Sequence, residues 1–123
     1  MTEVALQDRR ILVVEDDYLI AMDIRRDLEE AGAVVIGPAP SVSQALRLLE
    51  NEARIDAAVL DVNLGGERSF PIAEALQASA VPFLFATGYN SADIPDEWRR
   101  AEVVLKPLNI GAVRKLLASA RAA

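Results

Sequence analysis

The chain has 123 residues, enough for one domain with a proper core. Its 13 Lys and Arg against 19 Asp and Glu leave a net charge of −6, which argues against general nucleic-acid binding, though not against a local basic patch. With no Cys and no His, disulfides, thiolate- or imidazole-ligated metals, Ser-His catalysis and a phosphohistidine on this chain are all excluded. Residues Met1 to Arg10 are mostly polar, and the apolar run behind them, Ile11 to Val14, is too short for a signal peptide or a membrane span. A cytoplasmic protein is expected. Only 6 residues are aromatic while 21 are Ala, so the core is aliphatic and no platform for stacking bases is expected.

Short apolar runs alternate with amphipathic segments along the chain. Ile11-Leu12-Val13-Val14 reads as a buried strand. Ile20, Ile24 and Leu28 then recur at helical spacing across Tyr18 to Glu30, with Gly32 where a C-terminal cap belongs. Val34-Val35-Ile36 reads as a second strand closed by Gly37 and Pro38. Ser41 offers an N-cap with Gln44 three residues on, and Val42, Ala45, Leu46 and Leu49 follow at helical spacing. Ala57 to Leu60 is a third strand ending at Asp61, and Phe70 to Ala78 a shorter helix with Pro71 in its first turn. Val81 to Ala86 is a fourth strand, with Pro82 confining the ladder to its later residues. Pro95 breaks the next segment, leaving one short helix near Asp96 to Arg100. Val103 to Leu105 is the fifth strand, and Asn109 caps a last helix bearing Val113, Leu116, Leu117 and Ala120.

Five such strands alternating with about five helices predict an α/β fold with a parallel sheet covered on both faces. Function in such sheets collects beyond the carboxyl ends of the strands. Glu15, Asp16 and Asp17 follow the first strand, Asp61 ends the third, Thr87 and Gly88 follow the fourth, and Lys106 and Pro107 follow the fifth. Each piece alone has a plain reading as a solvated turn or a cap. A parallel sheet, however, brings all four ends to one edge. Clustered carboxylates resist ionising together unless a cation joins them, and an all-oxygen ligand set selects a hard ion such as Mg²⁺. A strand-end Asp beside such an ion can act as a nucleophile towards phosphorus, with Thr87 and Lys106 supplying a hydroxyl and a positive charge for phosphoryl oxygens.

Ile11-Leu12-Val13-Val14-Glu15-Asp16, Leu60-Asp61, Phe85-Ala86-Thr87-Gly88 and Lys106-Pro107 resemble, in order and spacing, the receiver domain of two-component response regulators. Phe-Ala-Thr-Gly followed by Tyr89 resembles an often stand-alone subgroup of that family. The resemblance implies a flavodoxin-like, doubly wound five-stranded parallel sheet of order 2-1-3-4-5 with helices on both faces; a receiver is itself a standard example of that order. It implies a receiver domain over residues 10–121, after an N-terminal extension of residues 1–9 and with no output domain.

Carried over by position, Asp61 resembles the phosphoacceptor, and Asp16 and Asp61 the direct Mg²⁺ ligands, with Glu15 acting through water. Asn63 matches the position that lends its backbone carbonyl to the metal, Thr87 the switch hydroxyl, Gly88 the small residue admitting phosphate, and Lys106 the family's lysine, followed by a cis bond to Pro107. Asp17 is read as the helix N-cap. Tyr89 is the substitute for a switch aromatic that many receivers carry three residues before the lysine, where this chain has Val103. The implied function is a single-domain response regulator. It takes a phosphoryl group from a histidine kinase or histidine phosphotransfer protein, then signals by protein contact or drains a shared kinase as a phosphate sink. It would be no enzyme with a substrate of its own, but would assist its own phosphorylation and dephosphorylation. A haloacid-dehalogenase-like phosphatase would place a second Asp two residues after the nucleophile, where this chain has Asn63. A receiver-like binding module that is never phosphorylated would not need the complete acid, Thr and Lys positions. A nucleotide-binding doubly wound protein would need a glycine-rich cradle after the first strand, which is anionic here.

Overall fold

Ile11 to Val14 and Ala57 to Leu60 are aliphatic on both faces, and all eight residues are buried at the middle of a parallel sheet. The computed structural model describes residues 5–88, 94–98 and 101–122. In chain order it shows β1 (Arg10–Val14), α1 (Tyr18–Glu30), β2 (Val34–Ala39), α2 (Val42–Asn51), β3 (Ala57–Asp61), β4 (Asn63–Leu64), β5 (Glu67–Arg68), α3 (Phe70–Ala78), β6 (Phe83–Thr87), a 3₁₀ turn (Asp96–Trp98), β7 (Glu102–Leu105) and α4 (Ile110–Ala122). The main sheet is parallel throughout, in the order β2-β1-β3-β6-β7. Without the short β4–β5 hairpin in the count, this is the expected 2-1-3-4-5 doubly wound order.

Because strand side chains alternate, each central strand feeds two cores. Leu12, Val14, Leu60 and Phe85 face α2 and α3, where Ala45, Ile72 and Leu76 are buried. Ile11, Val13, Val59 and Leu84 face α1 and α4, where Ile24, Leu28, Val113 and Leu117 are buried. The helix ends follow local chemistry. Asp17 Oδ1 accepts from the N–H groups of Leu19 and Ile20 at 3.0 and 3.2 Å, and Ser41 Oγ from that of Gln44 at 3.2 Å. Asn109 Oδ1 accepts from the Gly111 N–H at 2.6 Å. Gly32, at φ +94°, takes the left-handed position after α1.

Four features differ from, or add to, what the sequence predicts. First, β2 does not stop at Gly37-Pro38. Gly37 sits at φ +99°, where a Cβ would meet the Ala39 nitrogen at 2.7 Å, and this bulge lets the strand resume so that Ala39 pairs with Val14. Second, the short helix expected near Asp96 to Arg100 is, among the described residues, a 3₁₀ turn over Asp96–Trp98 after Pro95, beside four α-helices. Third, the β4–β5 hairpin was not foreseen. Fourth, residues 5–9 before β1 join the core: Leu6 is buried beside Ile11 and Leu28, and the Asp8 N–H donates to the Gly32 carbonyl at 2.8 Å.

Four of the six aromatics gather in one place. Phe70 stacks on Trp98 with centroids 6.3 Å apart, while Phe83 and Phe85 meet that ring edge-on. Val103 pairs with Phe85 in the ladder and packs, half-buried, against this core. Tyr89 lies outside the described residues.

Candidate functional site

The loops at the carboxyl edge place the acids differently. The Glu15 backbone continues the β1–β2 ladder, its N–H donating to Ala39 at 3.0 Å, and this draws its side chain under the surface to 2% exposure. Asp16 is exposed, and Asp17 is turned away into its capping role. Asp61 ends β3, half-buried between β1 and β6, with Oδ1 accepting from the Asn63 N–H at 3.4 Å. Thr87 is buried at the end of β6, and its carbonyl accepts from the Lys106 N–H at 2.8 Å. That bond fixes where the Lys106 side chain leaves the backbone, just before the cis bond to Pro107.

Lys106 connects the acids. Its Nζ donates to Glu15 Oε1 at 2.5 Å and to Asp61 Oδ2 at 3.2 Å. Burial pushes the Glu15 carboxyl up from 4.5 to about 7. The hydrogen bonds from Lys106 and from the Asp17 N–H pull it back only in part, and Asp61 adds to the rise. Burial also works against the Lys106 charge, but the bond to Glu15 and the field of Asp61 outweigh it and raise the ammonium above 10.5. The lysine is therefore a fixed cation between two acids, one of which is poised near neutrality.

One oxygen each from Glu15, Asp16 and Asp61 lies within 4.8 Å of the others, so this set can hold a metal ion. Its chemistry fits a hard divalent cation: the donors are carboxylates, with no nitrogen or sulfur ligand available. The surrounding cleft, of about 630 Å³, is lined by these acids, Asn63, Gly65, Thr87, Gly88 and Lys106, with Ile20 and Ile94 as apolar walls. A Cβ at Gly88 would meet nothing within 4 Å, so the cleft is open there.

The structure thus brings Glu15, Asp16, Asp61, Asn63, Thr87, Gly88 and Lys106 to one cleft, and leaves Asp17 on its rim as a cap. Sequence reasoning missed Arg68, which lines the same cleft from β5. The signal was present in Gly65-Gly66, a two-residue turn dipeptide that brings Arg68 opposite Asn63. Among the described residues, no helix is long and apolar enough to cross a membrane.

Comparison with known proteins agrees with this geometry. The response regulator receiver domain profile matches residues 11–118. The solution structure of SdrG from Sphingomonas melonis Fr1 is 43% identical, with a TM-score of 0.78 over 98% of this chain and 99% of that one. The BeF3-activated conformation of SdrG, from Pseudomonas melonis Fr1, is 42% identical, with a TM-score of 0.73 over 97% and 98% of the two chains. The phyllosphere-induced regulator PhyR of Methylorubrum extorquens is 28% identical over 109 residues, which are 84% of this chain and 41% of PhyR. The chain spans about half the length of the curated relatives it matches. With its 2-1-3-4-5 sheet and its acid–lysine edge, the chain belongs to the response regulator receiver domain family.

Proposed function

We propose that the chain accepts a phosphoryl group on Asp61 from a phosphohistidine protein, and that the phosphorylated form acts through protein contact or as a phosphate sink. The carrying observation is the Lys106 ammonium held between Glu15 and Asp61 beside three carboxylates within 4.8 Å of one another. In the transfer, an Asp61 carboxylate oxygen attacks phosphorus while the phosphorus–nitrogen bond of the donor breaks. The donor imidazole keeps that electron pair and takes up a proton. Asp16, Asp61, the Asn63 carbonyl and, through water, Glu15 would hold Mg²⁺, whose charge offsets that of the acids and of the phosphoryl oxygens. Lys106 stays protonated and stabilises the charge on the transferring group, Thr87 offers a hydroxyl to it, and Gly88 leaves room for it.

The acyl phosphate adds roughly −1.5 to −2 charges to an edge already rich in acid, which biases the neighbouring loops towards a second arrangement. The 42% identical SdrG has been captured in a BeF3-activated conformation, and beryllofluoride imitates a phosphoryl group, which supports the same chemistry here. The Phe85-Ala86-Thr87-Gly88-Tyr89 run fits a stand-alone receiver whose domain covers residues 10–121. Phosphotransfer from a panel of histidine kinases of the host tests the reading. Rapid labelling by one kinase, lost in Asp61→Asn, is expected. Failure of every kinase and phosphotransfer protein to label the wild type would overturn it.

A further inference from the structure

We infer that Arg68 is a second cationic contact for the phosphoryl group, reaching Asp61's cleft from the β4–β5 hairpin; this rests on the function proposed above. The hairpin begins two residues after Asp61 and turns through Gly65 and Gly66, at φ +59° and +99°, conformations that favour glycine. Its ladder pairs Asn63 directly with Arg68 and Leu64 with Glu67. Leu64 is buried in the core under α2 and α3, and the Ser69 N–H donates to the Val62 carbonyl at 3.0 Å, so both ends of the hairpin are anchored. The Gly66 N–H donates to Asn63 Oδ1 at 3.3 Å and closes the turn. Arg68 is thereby held on a short, braced element at the mouth of the cleft that Asp61 and Lys106 line.

Charge decides what a guanidinium does there. Lys106 is already engaged by Glu15 and Asp61. Among the described residues, Arg68 makes no ion pair, so its donors are available. With a divalent ion on the acids and Lys106 in place, the edge is near balance, and an arriving phosphoryl group tips it negative again. Among the described residues, Arg68 is the other cation lining the cleft, and its planar fork of donors suits two phosphoryl oxygens. It keeps its proton throughout and contributes hydrogen bonds only.

The test uses the whole chain, with beryllofluoride as the phosphoryl imitation and phosphoramidate as a small donor. Arg68→Ala should weaken beryllofluoride binding at fixed Mg²⁺ by about tenfold, and slow labelling by phosphoramidate by a similar factor. Arg68→Lys should recover part of the loss, as a point charge without the fork. Mg²⁺ affinity without phosphoryl or beryllofluoride separates this from a structural role. Loss of a nearby positive charge leaves that affinity unchanged or tighter, whereas a displaced hairpin would move Asn63 and weaken it. The inference is overturned if Arg68→Ala binds beryllofluoride within about twofold of wild type, or if Mg²⁺ binding falls by the same factor. A wild-type chain that takes neither beryllofluoride nor phosphoryl sinks the proposed function as well, which is a different result.

Discussion

Replacing Lys106 by Met keeps an apolar stem of similar length and removes one charge. The ammonium lies 2.5 Å from Glu15 and 3.2 Å from Asp61, with its side chain only 15% exposed, so solvent screens it weakly. Hydrogen bonds to charged groups contribute about 1.5–3 kcal/mol each, and one such contact to the transferring phosphoryl group is lost. Labelling by a small phosphodonor should therefore slow by about one to two orders of magnitude. The metal should respond in the opposite sense. Without a cation competing for the same carboxylates, Mg²⁺ should bind about three- to tenfold more tightly at alkaline pH, where Glu15 is ionised even without the Lys106 hydrogen bond that lowers it. Both quantities are measurable on one preparation, by titration calorimetry and by acid-labile phosphate incorporation. A lysine that merely held the edge together would lower both. Parallel loss of metal affinity and labelling, or labelling at the wild-type rate, would refute the assignment.

Further outcomes follow from the same edge. Asp16→Asn should weaken Mg²⁺ binding about tenfold and Glu15→Gln less, because Glu15 oxygens are already held by Lys106 and by the Asp17 N–H. Equal losses in calorimetric titrations would contradict that order. Burial holds the Glu15 carboxyl at about 7 rather than 4.5, so the fold favours its neutral form. The stability this gives is fully present below about 4.5 and is lost as pH rises to about 7. Urea denaturation of the metal-free protein from about pH 5 to about pH 8 should show wild type losing stability relative to Glu15→Gln; a constant difference would count against burial as the cause. Tyr89→Ala should still accept phosphate but lose it faster and bind its output partner more weakly, as followed by phosphoryl lifetime and pull-down. Unchanged lifetime and partner binding would reduce that ring to packing.

The sheet was legible because β1 and β3 are unbroken aliphatic runs, which only a sheet covered on both faces can bury. The helix starts were legible because Asp17, Ser41 and Asn109 announce them chemically. What escaped depends on contacts distant in sequence or on elements too short to have a period. Strands of two residues show no alternation, so the β4–β5 hairpin was visible only through its Gly65-Gly66 turn. Leu6 ends the short run Val4-Ala5-Leu6, too brief to show a period, and its burial comes from joining the core of Ile11 and Leu28. Gly37-Pro38 reads as a terminator, yet the positive φ of Gly37 makes it a bulge. At the site, the residue types and their strand ends were readable from the parallel order alone. The bridge from Lys106 to both acids was not, since it depends on how deeply Glu15 sinks. Arg68 escaped with the hairpin that carries it.

Asp61 is the proposed site of phosphorylation. Wild type and Asp61→Asn should be incubated with Mg²⁺ and a phosphohistidine donor, reduced with borohydride to trap any acyl phosphate, and mapped by peptide mass spectrometry. A reduced, homoserine-containing peptide at position 61 of the wild type and no trapped site in the variant are expected. Trapping at Asp16 or Asp17, or full labelling of Asp61→Asn, would contradict it.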